Sequence, residues 1–147
     1  MAGITFEAKL EPFEIMFGDK KEVIYFYSGD SNLPERLLKM PKIIIEKTKK
    51  LKIPEVKKSD KIYDNIVDYL DKKNKIVCDA VDYAFGNKVS DVLFKYYGPY
   101  SIINGKYYIL DVIERMVPEI VKMIDSNQEL AAQDLDKYKN YFDKYKD

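Results

Sequence analysis

The side chains that could carry chemistry are few, and their types narrow the field at once. The chain has 25 Asp and Glu residues, one cysteine and no histidine. Without histidine, the commonest general base and the commonest metal ligand are both missing. A lone Cys78 cannot complete an ordinary zinc site, and as a nucleophile it would have no imidazole to activate it. Carboxylate chemistry remains. Asp64 with Asp68, and Asp79 with Asp82, stand at helical spacing, so each pair would share one helix face. Such a pair could hold a magnesium ion or work as acid and base. The same spacing describes a solvated charged face, and that is the reading adopted. Asp30-Ser31-Asn32 has the start of a calcium loop without the rest of its twelve-residue ligand pattern, and is better read as a helix cap. No phosphate-binding, dinucleotide or nucleophile-elbow glycine motif occurs. The expectation is a protein that is not an enzyme, with no catalytic residue, no metal and no cofactor.

The elements that would position any site follow from hydrophobic periodicity. Ile4, Phe6 and Ala8 alternate with Thr5, Glu7 and Lys9, and Phe13, Ile15 and Phe17 with Glu14 and Met16. After the turn signal Gly18-Asp19-Lys20-Lys21, Val23, Tyr25 and Tyr27 alternate with Glu22, Ile24 and Phe26. This predicts a β-hairpin within residues 4–27, with helices needed to cover it, because two or three strands alone are marginal. Asn32 with Glu35 has the spacing of a capping box, and Pro34 falls in a first helical turn. A helix is expected from Leu33 to about Leu51, kinked or broken at Pro41, with Leu33, Leu37, Leu38, Ile44, Ile45 and Leu51 as its apolar positions.

The longest amphipathic pattern runs from a cap at Ser59 or Asp60 to Phe85, through Ile62, Ile66, Val67, Leu70, Val77 and Val81. Gly86 closes it, and Cys78 falls on its apolar side, where a free thiol packs as a small hydrophobe. A short helix is expected over 89–97 and a tight turn at Asn104-Gly105. A helix from about Tyr107 to Ile124 should kink at Pro118, and a last one should open at a Ser126/Glu129 capping box. The fold class is mainly α (α+β): an N-terminal β-hairpin and four to five helices, with residues 1–125 as one domain and 126–147 as a C-terminal helical extension.

Bulk properties bound the partners. The 147 residues suffice for a single core. The net charge is zero, which argues against a general polyanion binder. The charge is uneven, with a basic run at Lys39–Lys58 and an acidic one at Asp111–Asp136. That lysine face is the one feature favouring a small nucleic-acid-binding regulatory protein; only Arg36 and Arg115 supply arginine, the side chain that base readout prefers. Nucleic acid is therefore a disfavoured partner. No signal-peptide pattern and no apolar run near ~18 residues is present, so no membrane is expected and the cytoplasm is.

Protein binding remains. The 13 Tyr and 7 Phe offer rings that bury while a hydroxyl stays wet, a chemistry suited to interfaces. Candidate partner-binding residues are Tyr25 and Tyr27 on the second strand, Tyr96, Tyr97 and Tyr100 in one cluster, and Leu135, Tyr138, Phe142 and Tyr145 on the last helix. The alternative for each group is packing within the chain. Partners would be other proteins or a further copy.

The order of features resembles a known family. Phe13-Glu14-Ile15-Met16-Phe17-Gly18 leads to Asp30 and Leu33-Pro34-Glu35-Arg36-Leu37, then to Ala84-Phe85-Gly86, Ser90-Asp91-Val92-Leu93-Phe94 and Ser101-Ile102-Ile103-Asn104-Gly105-Lys106-Tyr107. Over roughly residues 12–125 this resembles the small tail-assembly chaperones and related tail proteins of Gram-positive bacteriophages and prophages. The resemblance implies an α-rich fold, no enzyme activity, action in the bacterial cytoplasm, and binding to the tape-measure protein, the tail-tube protein or both. A structural component of a tail or of a contractile phage-tail-like particle is the alternative within the same setting.

Overall fold

Alternating burial and one tight turn set the first element. The computed structural model describes residues 2–55 and 61–129. Strand β1 (Glu11–Phe17) pairs antiparallel with β2 (Lys20–Phe26), Phe13 opposite Ile24 and Phe17 opposite Lys20. The two-residue loop takes φ +62° at Gly18 and no positive φ at Asp19, the pattern of a II′ turn that matches strand twist. Phe13, Ile15, Ile24 and Phe26 face the helices, while Glu14, Met16 and Tyr25 face out. Residues 2–10 form no strand, and Ile4 and Phe6 are exposed. The hairpin expected over 4–27 is thus shorter at its start. A period-two pattern favours a strand only if a pairing edge is within reach.

Helix α1 (Leu33–Lys49) follows. The expected capping box does not form: Asn32 is already in the helical region and its side chain caps nothing. Asp30 does the work instead, accepting from the Asn32 N–H at 2.9 Å. Pro41 lies inside α1 without breaking it. The buried stripe is Leu33, Leu37, Met40 and Ile44, whereas Leu38 and Ile45 are exposed. One helix face alone meets the core, and the phase of Leu33 and Leu37 selects Met40 in place of Leu38.

Helix α2 (Ile62–Phe85) packs against α1, and its second half supplies Val77, Ala80, Val81, Ala84 and Phe85 to the core. Phe26 meets Phe85 edge-on, ring centroids 5.4 Å apart, joining sheet and helices. Gly86 ends α2 with φ +66°. The caps expected at Ser59 or Asp60 lie outside the described residues.

Helix α3 is one turn, Ser90–Leu93, where 89–97 was expected. Beyond it, Phe94, Tyr96 and Tyr97 turn to rings on other elements, so the chain leaves the helix. Strands β3 (Ile102–Ile103) and β4 (Lys106–Tyr107) form the expected small hairpin, with φ +54° at Asn104 and +76° at Gly105. Those two positive angles are what a type I′ turn demands, and Asn-Gly supplies them most readily.

Helix α4 starts at Tyr108–Asp111, passes through a π-helical turn at Val112–Met116 and continues over residues 117–129. Pro118 has no N–H for the preceding turn, and the widened turn lies just before it. Helix α4 runs on through Ser126, whose hydroxyl donates back to the Lys122 carbonyl; the expected cap there is not made. Buried Ile120 and Ile124 hold this stretch to the core, and Asn127 bonds Ser28 at 2.7 Å, so the helix has no reason to restart. Residues 130–147, most of the proposed extension, lie outside the described residues. The architecture is α+β, a hairpin covered on one face by helices.

Candidate protein-binding surfaces

Three of the four carboxylates that could have formed a catalytic or metal pair, Asp68, Asp79 and Asp82, have other partners. Asp68 pairs with Lys72 at 3.0 Å, and Asp79 with Lys75 at 2.8 Å, each one turn away on α2. Asp82 accepts from the Val89 and Ser90 N–H groups and from the Ser90 hydroxyl, all at 2.8 Å. It is therefore the start-cap of α3, supplied from another helix. Burial pushes the half-buried Cys78 thiol up in pKa, away from the reactive thiolate. Among the described residues, no cluster of metal-ligating side chains is present.

The aromatic candidates separate into two groups. Tyr96 and Tyr97 belong to a seam between the β1–β2 turn and the 94–108 segment. Phe17 meets Tyr96 at 5.1 Å and Tyr97 at 6.2 Å, and Tyr97 meets Tyr108 at 5.7 Å. The Tyr96 hydroxyl donates to Glu22, as does the Lys95 ammonium, and these two bonds hold the Glu22 carboxyl below the usual range. Tyr100 packs edge-on against Tyr107 and lies under the Lys73 ammonium, 4.0 Å from the ring centre. Tyr25 sits elsewhere, on the outer face of β2, with Tyr27 just past the strand's end, and both are half-exposed. The Tyr27 ring lies over Gly29, where an added Cβ would meet it at 2.9 Å. Leu135, Tyr138, Phe142 and Tyr145 lie outside the described residues. On the basic face, Lys39 is paired with Glu35 at 2.6 Å, and Lys42 stands 3.9 Å from Glu46.

A surface that sequence reasoning assigned to the core is exposed instead. Ile66, Val67 and Leu70 were expected to continue the buried stripe of α2. They are 37%, 56% and 47% exposed, and Tyr63 is 79%. Their spacing of three and four residues puts all four on one helix face. The reason is length. Helix α2 has 24 residues and α1 has 17, about 36 Å against 26 Å at 1.5 Å per residue. The first buried residue of α2 is Val77.

A second feature is a groove of about 770 Å³ between β1 and the π-helical turn of α4. Phe17, Leu93, Tyr97, Tyr108, Val112 and Met116 contribute its apolar lining, with Glu14, Asp111, Glu114, Arg115 and Glu119 around it. Tyr108 donates to the Leu93 carbonyl at 2.7 Å, and its burial beside Asp111 raises its pKa to about 12. It therefore stays a neutral donor at the end of the groove. No described helix is long and apolar enough to cross a membrane. Comparison with family models, with characterised proteins and with solved structures returns no match.

Proposed function

We propose that this chain is a non-enzymatic binding protein of the tail-assembly chaperone type, acting in the cytoplasm of a bacterial host. One observation carries this reading: the exposed stripe Tyr63, Ile66, Val67 and Leu70 on the projecting half of α2. An apolar stripe of this spacing suits docking of an amphipathic client helix, read at i, i+3, i+4 and i+7. A tape-measure protein has long apolar helical stretches that aggregate until the tail tube covers them. A small protein offering one short stripe would shield such a stretch and still release it, as the smallest interfaces are those of transient encounters. The order of motifs from Phe13 to Tyr107 supports the phage setting.

The test is co-expression with the tape-measure and tail-tube proteins of the same genome, followed by affinity capture. The expected result is retention and improved solubility of one of them. Ile66→Lys combined with Leu70→Lys should abolish retention while leaving the fold intact by circular dichroism. Undiminished retention by that double variant would sink the reading. Salt-sensitive retention of nucleic acid alone would favour the Lys39–Lys58 face, and recovery of the chain in finished particles would make it a structural component.

A further inference from the structure

Two features left over from the fold complement each other. The first is an arm. Residues 2–10 have the period-two pattern of a strand, with Ile4, Phe6, Ala8 and Leu10 alternating with Thr5, Glu7 and Lys9. They are in no strand, and Ile4, Phe6 and Leu10 are 83%, 92% and 45% exposed. Large apolar side chains regularly spaced on an unpaired segment are a strand awaiting an edge.

The second is an edge. Phe17 and Lys20 close a two-residue loop and so exchange hydrogen bonds, as do Ile15 with Glu22 and Phe13 with Ile24 in alternation. The backbone groups of Glu14 and Met16 therefore point away from β2. Among the described residues, no backbone bond from outside the hairpin reaches either of them. The opposite edge is treated differently: the Asn87 side chain donates to the Tyr25 carbonyl at 2.7 Å. Pro12 sits at an outward position of β1, where a missing N–H is tolerated only on an edge. The free edge of β1 borders the groove against α4.

Pairing with the edge of its own chain is disfavoured for the arm. It joins β1 directly at Glu11, so folding back would spend its last residues, Ala8 to Leu10, on a tight turn. Such turns need positive φ and use glycine, asparagine or aspartate, as both hairpins here do. We infer that residues 4–10 of a second copy of this chain add as a strand to the free edge of β1, with Ile4, Phe6, Ala8 and Leu10 facing the groove. The arm and β1 match in length, at seven residues each, about 23 Å extended. Backbone pairing supplies attachment, and the alternate side chains supply fit. Reciprocal exchange between two copies closes a dimer and covers the β1 edge of each. This surface is separate from the α2 stripe, so the inference stands apart from the chaperone reading.

The test measures mass in solution by light scattering on the full chain and two variants. Deleting residues 2–9 removes the donor and keeps the edge. Glu14→Pro keeps the arm and removes an outward N–H from the edge without removing a β1–β2 backbone hydrogen bond, at the cost of the exposed ion pair between Glu14 and Lys21. The intact chain should be a dimer and each variant a monomer, with circular dichroism confirming that both variants fold. Mixing the two variants should restore a one-to-one complex, since one offers only an edge and the other only an arm. A monomeric intact chain, dimers that survive either change, or a mixture that stays monomeric would each overturn the inference.

Discussion

Arg36 donates through Nε to the carbonyl of Ala84, 48 residues further along the chain, at 3.2 Å. Its other arm holds Asp30 at 2.6 Å. One guanidinium thus ties the loop before α1 to the last turn of α2, whose carbonyls have no helical donors. A cation is also favoured at that end of a helix dipole. Gly86 lies against it, and a Cβ there would approach the Arg36 Nη2 to 3.1 Å.

Arg36→Ala should therefore destabilise the fold by about 2–3 kcal/mol, since it takes the charged donor from a part-buried carboxylate, which keeps only the Asn32 N–H, and the side-chain donor from a helix carbonyl. Arg36→Lys should recover little of this, because one ammonium cannot serve two acceptors in a fixed fork. Chemical denaturation of the three proteins at neutral pH decides it. Equal stability of Arg36→Lys and the parent would show that charge alone suffices.

The same pair predicts an acid limb. The Arg36 hydrogen bond, and then the Asn32 N–H, hold the Asp30 pKa below the usual aspartate value. A depressed folded-state pKa means stability that is complete above the unfolded value, roughly 3.9, and is lost as pH falls through the folded one. Asp30→Asn should remove this part of the acid loss while lowering stability at pH 7. Melting temperatures of both proteins between neutral and strongly acid pH should converge as pH falls.

Asp82 carries the start of α3 on one carboxylate. Asp82→Ala should cost about 2–3 kcal/mol, since it strips charged acceptors from two backbone N–H groups and a hydroxyl. The loss should be local first. Hydrogen exchange at the Val89 and Ser90 amides should quicken more than at Val77 or Val81 in the core.

Tyr108 predicts an alkaline limb of opposite origin. Burial first, and Asp111 second, raise its pKa to about 12. The unfolded chain loses this proton near pH 10 while the folded one keeps it, so stability falls between about 10 and 12. Tyr108→Phe should flatten that part of the profile, at the cost of the bond to the Leu93 carbonyl. Thermal melts at pH 9 and at pH 11 (about one unit either side of a free tyrosine's value) measure the difference.

Some surfaces exist only because distant segments meet. No local pattern marks Arg36 as the cap of α2, or Asp82 as the cap of α3. Both were visible as charged residues on helices, and both would pass for solvated surface. The Asn32/Glu35 and Ser126/Glu129 pairs have the right spacing for capping boxes, yet neither site uses one. In the first case Asp30 and Arg36 meet the need. In the second the helix never ends there.

What the order of residues determined alone is what short-range sterics and periodicity control. Gly18 and Asn104-Gly105 set the two hairpin turns, Gly86 ended α2, and the four-residue spacing of Val77, Val81 and Phe85 committed them to the core. The lack of histidine constrained the chemistry before any coordinates. Only the tertiary structure decided which apolar residues are left over. Ile66, Val67 and Leu70 follow the same helical period as Val81, and Ile4 and Phe6 the same strand period as Phe13 and Ile15. Burial depends on whether another element lies within reach, and α1 is too short to cover the first turns of α2, while among the described residues no strand pairs with the arm.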